Sequence, residues 1–136
     1  MDGKKLIILS EEAKLNVKVI GTIGITDGHP YQYRVVAWTN AKDKYLTKIV
    51  PTEGDPEFNE VLQISLDKNF PAKALFVDVF RMNSDGLYFV GRGKTLLPTD
   101  IGKDFYREVE LSGFVEAGFL QLSLNLNVFE VLGYAI

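Results

Sequence analysis

Along most of this chain, apolar and polar positions alternate. In "LNVKVI" (15–20), Leu15, Val17 and Val19 fall on one face and Asn16 and Lys18 on the other. "VLQISL" (61–66) groups Leu62, Ile64 and Leu66, and "ALFVDVF" (74–80) groups Leu75, Val77 and Val79. "FLQLSLNLNV" (119–128) sets Leu120, Leu122, Leu124, Leu126 and Val128 against Gln121, Ser123, Asn125 and Asn127. A period of two sends successive side chains to opposite faces, so each segment reads as a half-buried strand. Four further segments are rich in Val, Ile, Tyr, Phe and Thr, residues that suit a pleated surface: "PYQYRVVAWT" (30–39), "KYLTKIV" (44–50), "YFVGRGKTLL" (88–97) and "FYREVEL" (105–111). Turn chemistry punctuates them at "TDGHP", "TNAKD", "TEGDP", "DKNFP", "NSDG", "PTDIGKD" and "SGFVEAG".

The pattern predicts an all-β protein: an eight-stranded antiparallel β-sandwich. "KKLIIL" (4–9) reads as a short additional edge strand, and "PTDIGKDF" has room for one helical turn. The apolar tail "VFEVLGYAI" (128–136) has three readings: it folds back over the sandwich, extends the last strand, or forms a dimer contact. Packing on its own chain is the preferred one. The 136 residues fit a single domain, with a core over about 14–127 and 128–136 as an apolar C-terminal extension.

Composition narrows the chemistry. Without cysteine there is no disulfide, thiolate nucleophile or cysteine-ligated zinc. The net charge of −3 argues against a nucleic-acid partner, because neutralising phosphates takes a surplus of Lys and Arg. The apolar run Leu6 to Leu9 is too short for a secretory signal, and no segment has the length of a membrane span. A cytoplasmic protein is expected. Enzymatic activity is not: a Ser–His–acid triad would have to use His29, the one histidine, and no G-x-S-x-G elbow occurs. The glycines of 21–28 and 91–93 are neither Walker nor Rossmann signatures. No cofactor is expected.

Three stretches resemble the C2 domain family. "HPYQYRVVAW" resembles the strand after its first loop, where Asp-Pro-Tyr is usual. "YLTKIVPTEGDPEFNEVLQISL" resembles its next two strands, with "GDPEFNE" a variant of Asn-Pro-x-Trp/Phe-Asn-Glu. "LFVDVFRMN" followed by "YFVG" resembles the strand, acidic loop and strand start that come after. The resemblance spans about 14–127 and is greatest to the small stand-alone C2 proteins of plants. It implies a sandwich with three loops at one end, which in typical members bind calcium through clustered aspartates and dock on lipid. Calcium takes ~6–8 oxygen ligands, and here the acidic pattern is broken. His29 stands for the aspartate before Pro30-Tyr31, and Ile23 for an earlier one. Arg81 and Asn83 stand for the first two of the third loop, and Leu87-Tyr88 for its last. Asp27 and Asp85 remain, out of register, so no metal site is expected. Weak calcium-dependent binding through those two is a lesser alternative.

Two surfaces are then candidates for lipid. The basic one comprises Arg34, Lys42, Lys44 and Lys48; Lys44, Leu46 and Lys48 share a face by period two. In the resembling family that sheet face binds phosphoinositides in some members. The other is the loop end, with Ile23, Ile25, His29, Arg81 and Tyr88 as contacts, flanked by Leu87 and Phe89. Arg81 has two readings: a fixed charge in place of the metal, or a partner of Asp27 or Asp85 that ties the loops together. Together these imply a calcium-independent module that binds anionic phospholipid or phosphoinositide as a peripheral protein of the plasma membrane, in signalling. A stress or defence setting follows from the plant resemblance alone. The alternative is a protein–protein interaction module that has lost lipid binding.

Overall fold

The alternating segments pair into two antiparallel sheets in the computed structural model, which describes residues 3–67, 71–113 and 118–135. Nine strands follow in order: β1 (Leu6–Ile23), β2 (Tyr31–Asn40), β3 (Asp43–Leu46), β4 (Val50–Thr52), β5 (Glu57–Leu66), β6 (Ala74–Asn83), β7 (Gly86–Leu96), β8 (Asp104–Glu110) and β9 (Phe119–Tyr134). One sheet has the order β5-β1-β9-β8. The other has β3-β2-β6-β7, with β4 also on β2. The inward side chains are those the alternation picks out: Leu15, Val17, Val19, Leu62, Ile64, Leu75, Val77, Val79, Leu120, Leu122 and Leu124 are all buried. Tyr33, Val35 and Ala37 of β2 join them. Gly93 lets the sheets close, because a Cβ there would run into Val109 of β8 and the Glu110 carbonyl. Beside it, the main chains of Arg92 and Ser112 exchange hydrogen bonds of 2.8 and 2.9 Å and stitch the two layers together.

Two features differ from the sequence reading. The expected strand 44–50 is broken into β3 and β4, which accounts for nine strands in place of eight. Val36 faces Leu46 but Tyr33 faces Val50, so one extra residue is inserted between the two pairings. Thr47 makes the break: its hydroxyl accepts a hydrogen bond from the Val35 N–H at 2.9 Å and donates to the Lys48 carbonyl at 2.9 Å. The side chain thereby replaces a ladder bond, as bulges do. Second, residues 6–9 are no separate edge strand. They continue into β1, and residues 128–134 continue β9, so the two strands pair from Ile23↔Phe119 to Leu6↔Tyr134. The tail thus extends the last strand against its own chain and does not fold back over the sandwich. The turns expected at 67–71 and 112–118 fall in part on residues 68–70 and 114–117, outside the described residues.

Candidate functional site

At the end of the sandwich where β1 runs out, Asp55 fixes the first loop. Its carboxylate accepts hydrogen bonds from the Thr22 hydroxyl (3.1 Å) and from the N–H groups of Gly24 (3.0 Å) and Ile25 (3.0 Å). Gly24 adopts φ +79°, a conformation that side chains disfavour. This clamp turns Ile25 inward. Ile25 was expected as a loop contact but is buried in the core, because Asp55 holds its backbone there. Ile23, at the last position of β1, remains 41% exposed.

Arg81 lies over the Tyr31 ring, its guanidinium carbon 4.4 Å from the centroid, with one nitrogen 3.7 Å from Asp27. Asp27 in turn accepts hydrogen bonds from the His29 N–H (3.0 Å) and the Tyr31 hydroxyl (2.8 Å). His29 Nδ1 is 3.2 Å from the same carboxylate, while most of the His29 side chain is in solvent. The His29 N–H, and after it the Tyr31 hydroxyl, lower the Asp27 pKa to about 2. The same hydrogen bond to Asp27 raises that of the Tyr31 phenol. Of the two readings of Arg81, the geometry contains the tie to Asp27, with Tyr31 as an unforeseen third member.

The third loop is a tight hairpin. β6 and β7 stay paired through Arg81↔Tyr88, Met82↔Leu87 and Asn83↔Gly86. The Asn83 side chain accepts a hydrogen bond from the Asp85 N–H at 2.8 Å, and Gly86 supplies φ +149°. Positions read as a broken acidic loop are therefore strand and turn. Tyr88 and Leu87 are exposed there, whereas Phe89 packs edge-on against Phe80. No group of three or more His, Cys, Asp or Glu placed to hold a metal occurs among the described residues.

The basic candidates separate. Lys44 is on β3, with its ammonium 4.4 Å above the Trp38 ring. Arg34 is on β2 and donates from Nε to the Thr47 carbonyl at 3.0 Å. Lys42 sits in the β2–β3 turn, its N–H bonded to the Asn40 side chain. Lys48 does not share a strand face with Lys44, because the period breaks at Thr47. Its N–H instead donates to Glu60 of β5, at 2.7 Å, in the other sheet.

What the sequence reading missed lies on the outward face of β3-β2-β6-β7. Trp38 stacks on Phe76, 5.8 Å between centroids and 17° between planes. Lys94 of β7 lies 5.6 Å from the Phe76 ring, which faces it across the ladder. One row thus runs Lys44–Trp38–Phe76–Lys94 over four strands. In the adjoining row Arg92 forms a two-pronged ion pair with Asp78, at 2.6 and 2.9 Å, and lies 5.2 Å from the Trp38 ring. This pairing raises the Arg92 pKa. Asp78 is 4% exposed, and its charge is answered by Arg92, so Lys44, Lys94 and Arg34 remain as an uncompensated set among the described residues. The signal was present: an aspartate between apolar residues in "FVDVF" needs a cation, and period two puts Arg92 and Lys94 on one face.

No protein-family model matches the sequence, and a search of curated proteins returns no match. The fold is nevertheless that of C2 domains. A C2 domain of plant extended synaptotagmin 1 superposes with a TM-score of 0.66 at 18% identity, over 86% of this chain and 95% of that one. A second C2 domain gives 0.65 at 14% identity over 85% and 98%. Human GIVD cytosolic phospholipase A2 gives 0.68 at 16% identity over 87% of this chain and 16% of the enzyme. No helix among the described residues is long and apolar enough to cross a membrane.

Proposed function

We propose that this C2-fold protein binds anionic phospholipid surfaces, phosphoinositides included, without calcium, as a peripheral and non-enzymatic module at the plasma membrane. The observation that carries the reading is the row Lys44–Trp38–Phe76–Lys94, with Arg92 in the adjoining row and Arg34 in the one after it. The aromatic pair sets the two ammonium groups on one face, where both can meet phosphate. Lysine suits phosphate as a point charge and arginine as a fork. Each cation near an anionic bilayer contributes about 1 kcal/mol, so a handful gives reversible, salt-sensitive attachment. The loop end supports calcium independence: the oxygens of Asp27 and Asp55 are committed to hydrogen bonds within the loops, and Arg81 adds a positive charge beside them. Lipid as the partner class also accords with the shared fold, since one of the similar structures is a phospholipase by name.

Sedimentation with phosphatidylserine vesicles tests the reading. Binding is expected to persist with chelator, to fall between ~0.1 and ~0.5 M salt, and to drop about tenfold or more in Lys44→Glu/Lys94→Glu. Binding that requires calcium, or a double variant that pellets like the parent, would overturn it.

A further inference from the structure

The β1–β9 pair runs past the sandwich. β5 leaves β1 at Ala13↔Leu66, and β8 leaves β9 at Asp104↔Asn125, with one further bridge at Ile101↔Leu126. Beyond these points residues 6–12 pair only with 129–134 among the described residues. The result is a two-stranded ribbon whose edges are open among the described residues, at the end of the molecule away from Asp27 and Arg81. Such a ribbon is marginal alone, and open edges invite pairing. The register continues the inward face of the sheet along Ala13/Val128, Glu11/Glu130, Ile8/Leu132 and Leu6/Tyr134. The opposing sheet does not reach this far: Leu6, Ile8, Leu132 and Tyr134 are 55%, 56%, 48% and 67% exposed, and Val128 is 42% exposed.

We infer that this ribbon face is a homodimer interface in which two copies pack face to face and antiparallel about an axis between the Leu6 and Ile8 rungs. Charge placement identifies the occupant. At the base of the face Glu11 and Glu130 are direct cross-strand partners, an arrangement of like charges that destabilises a ribbon by itself. At the tip Lys4 lies 5.8 Å from the Tyr134 ring. An antiparallel second copy brings its Lys4 over Glu11 and Glu130, its Leu6 onto Ile8 and its Tyr134 onto Leu132, which is the self-complementarity a two-fold interface requires. The five exposed apolar side chains offer roughly 450 Å², about half of the ~800 Å² per partner of a standard complex, which fits a weak, reversible dimer. An anionic bilayer is the poorer occupant, since Glu11 and Glu130 would face its phosphates.

Sedimentation velocity of the full chain at micromolar concentrations is expected to show a reversible dimer. Ile8→Asp and Leu132→Asp are each expected to give monomer with an unchanged far-ultraviolet spectrum, because both side chains are already half in solvent. Lys4→Glu is expected to weaken the dimer about tenfold, and adding Glu11→Lys and Glu130→Lys to restore it. A parent chain that stays monomeric overturns the inference, as does a dimer that survives both Asp variants or is indifferent to the charge exchange. A monomeric parent whose vesicle binding is lost in Ile8→Asp would assign the face to lipid instead. The association outcomes do not involve Lys44 or Lys94, so the lipid reading above stands or falls separately; only loss of vesicle binding in Ile8→Asp bears on both.

Discussion

Asp27 accepts hydrogen bonds from the His29 N–H and the Tyr31 hydroxyl and stands beside Arg81, although it is itself exposed. A carboxylate that accepts such bonds gives up its charge late on acidification. With its folded pKa lowered to about 2 from 3.8, its contribution to loop order is fully present above the ordinary value. It is lost as the pH falls through the window from about 4 to about 2. Carboxyl-detected NMR titration is expected to place the Asp27 midpoint near 2, and Asp27→Asn is expected to let the raised Tyr31 phenol fall back toward its ordinary value. A midpoint at the ordinary aspartate value would mean that the His29 and Tyr31 bonds do not persist in solution. The Arg81–Asp27 pair was legible in the sequence as one of two readings. The part played by Tyr31 was not, because it depends on where β2 starts relative to β6, and period two says nothing of register between strands.

The bulge between β3 and β4 shows how a single side chain reshapes an element. Alternation read 44–50 as one strand and therefore placed Lys48 beside Lys44. It could not reveal that the Thr47 hydroxyl would take the Val35 N–H and insert a residue. Val35 and Thr47 are both buried, so removing the acceptor strands a donor away from water. Thr47→Val keeps the shape and deletes the bond. It is expected to cost about 1–3 kcal/mol in urea unfolding, with Thr47→Ser clearly less damaging. Equal losses in the two variants would show that packing of the methyl group, not the hydroxyl, holds the bulge. Strand existence was easily read along β1, β6 and β9, where inward residues are apolar without exception over the core. The lengths of β1 and β9 were less so, because the sequence alone does not show where the opposing sheet ends.

At the scale of the whole molecule, a chain of net charge −3 is proposed to bind an anionic surface, and the sandwich reconciles the two by separating its charges in space. Lys44, Lys94, Arg92 and Arg34 lie on the outside of one sheet. On the outside of the other, Glu108 and Glu110 of β8 are exposed, with Val109 between them pointing into the core, and Lys14 and Lys18 of β1 share that side further in. The two layers are ~10 Å apart, and the side chains on both outer surfaces bring the basic face and the β8 acids to about twice that separation. At ~0.1 M salt the screening length is about 10 Å, so a bilayer against the basic face does not register the far acids. At ~0.01 M it is about 30 Å, and the bilayer meets the charge of the whole protein. Glu108→Gln/Glu110→Gln is therefore expected to strengthen vesicle binding severalfold at ~0.01 M salt and to leave it unchanged at ~0.1 M. Tighter binding at both salt levels would place β8 within reach of the membrane and move the contact surface away from Trp38 and Phe76. No change at either level would mean that attachment rests on apolar insertion, with Ile23, Leu87 and Tyr88 as the exposed side chains to test next.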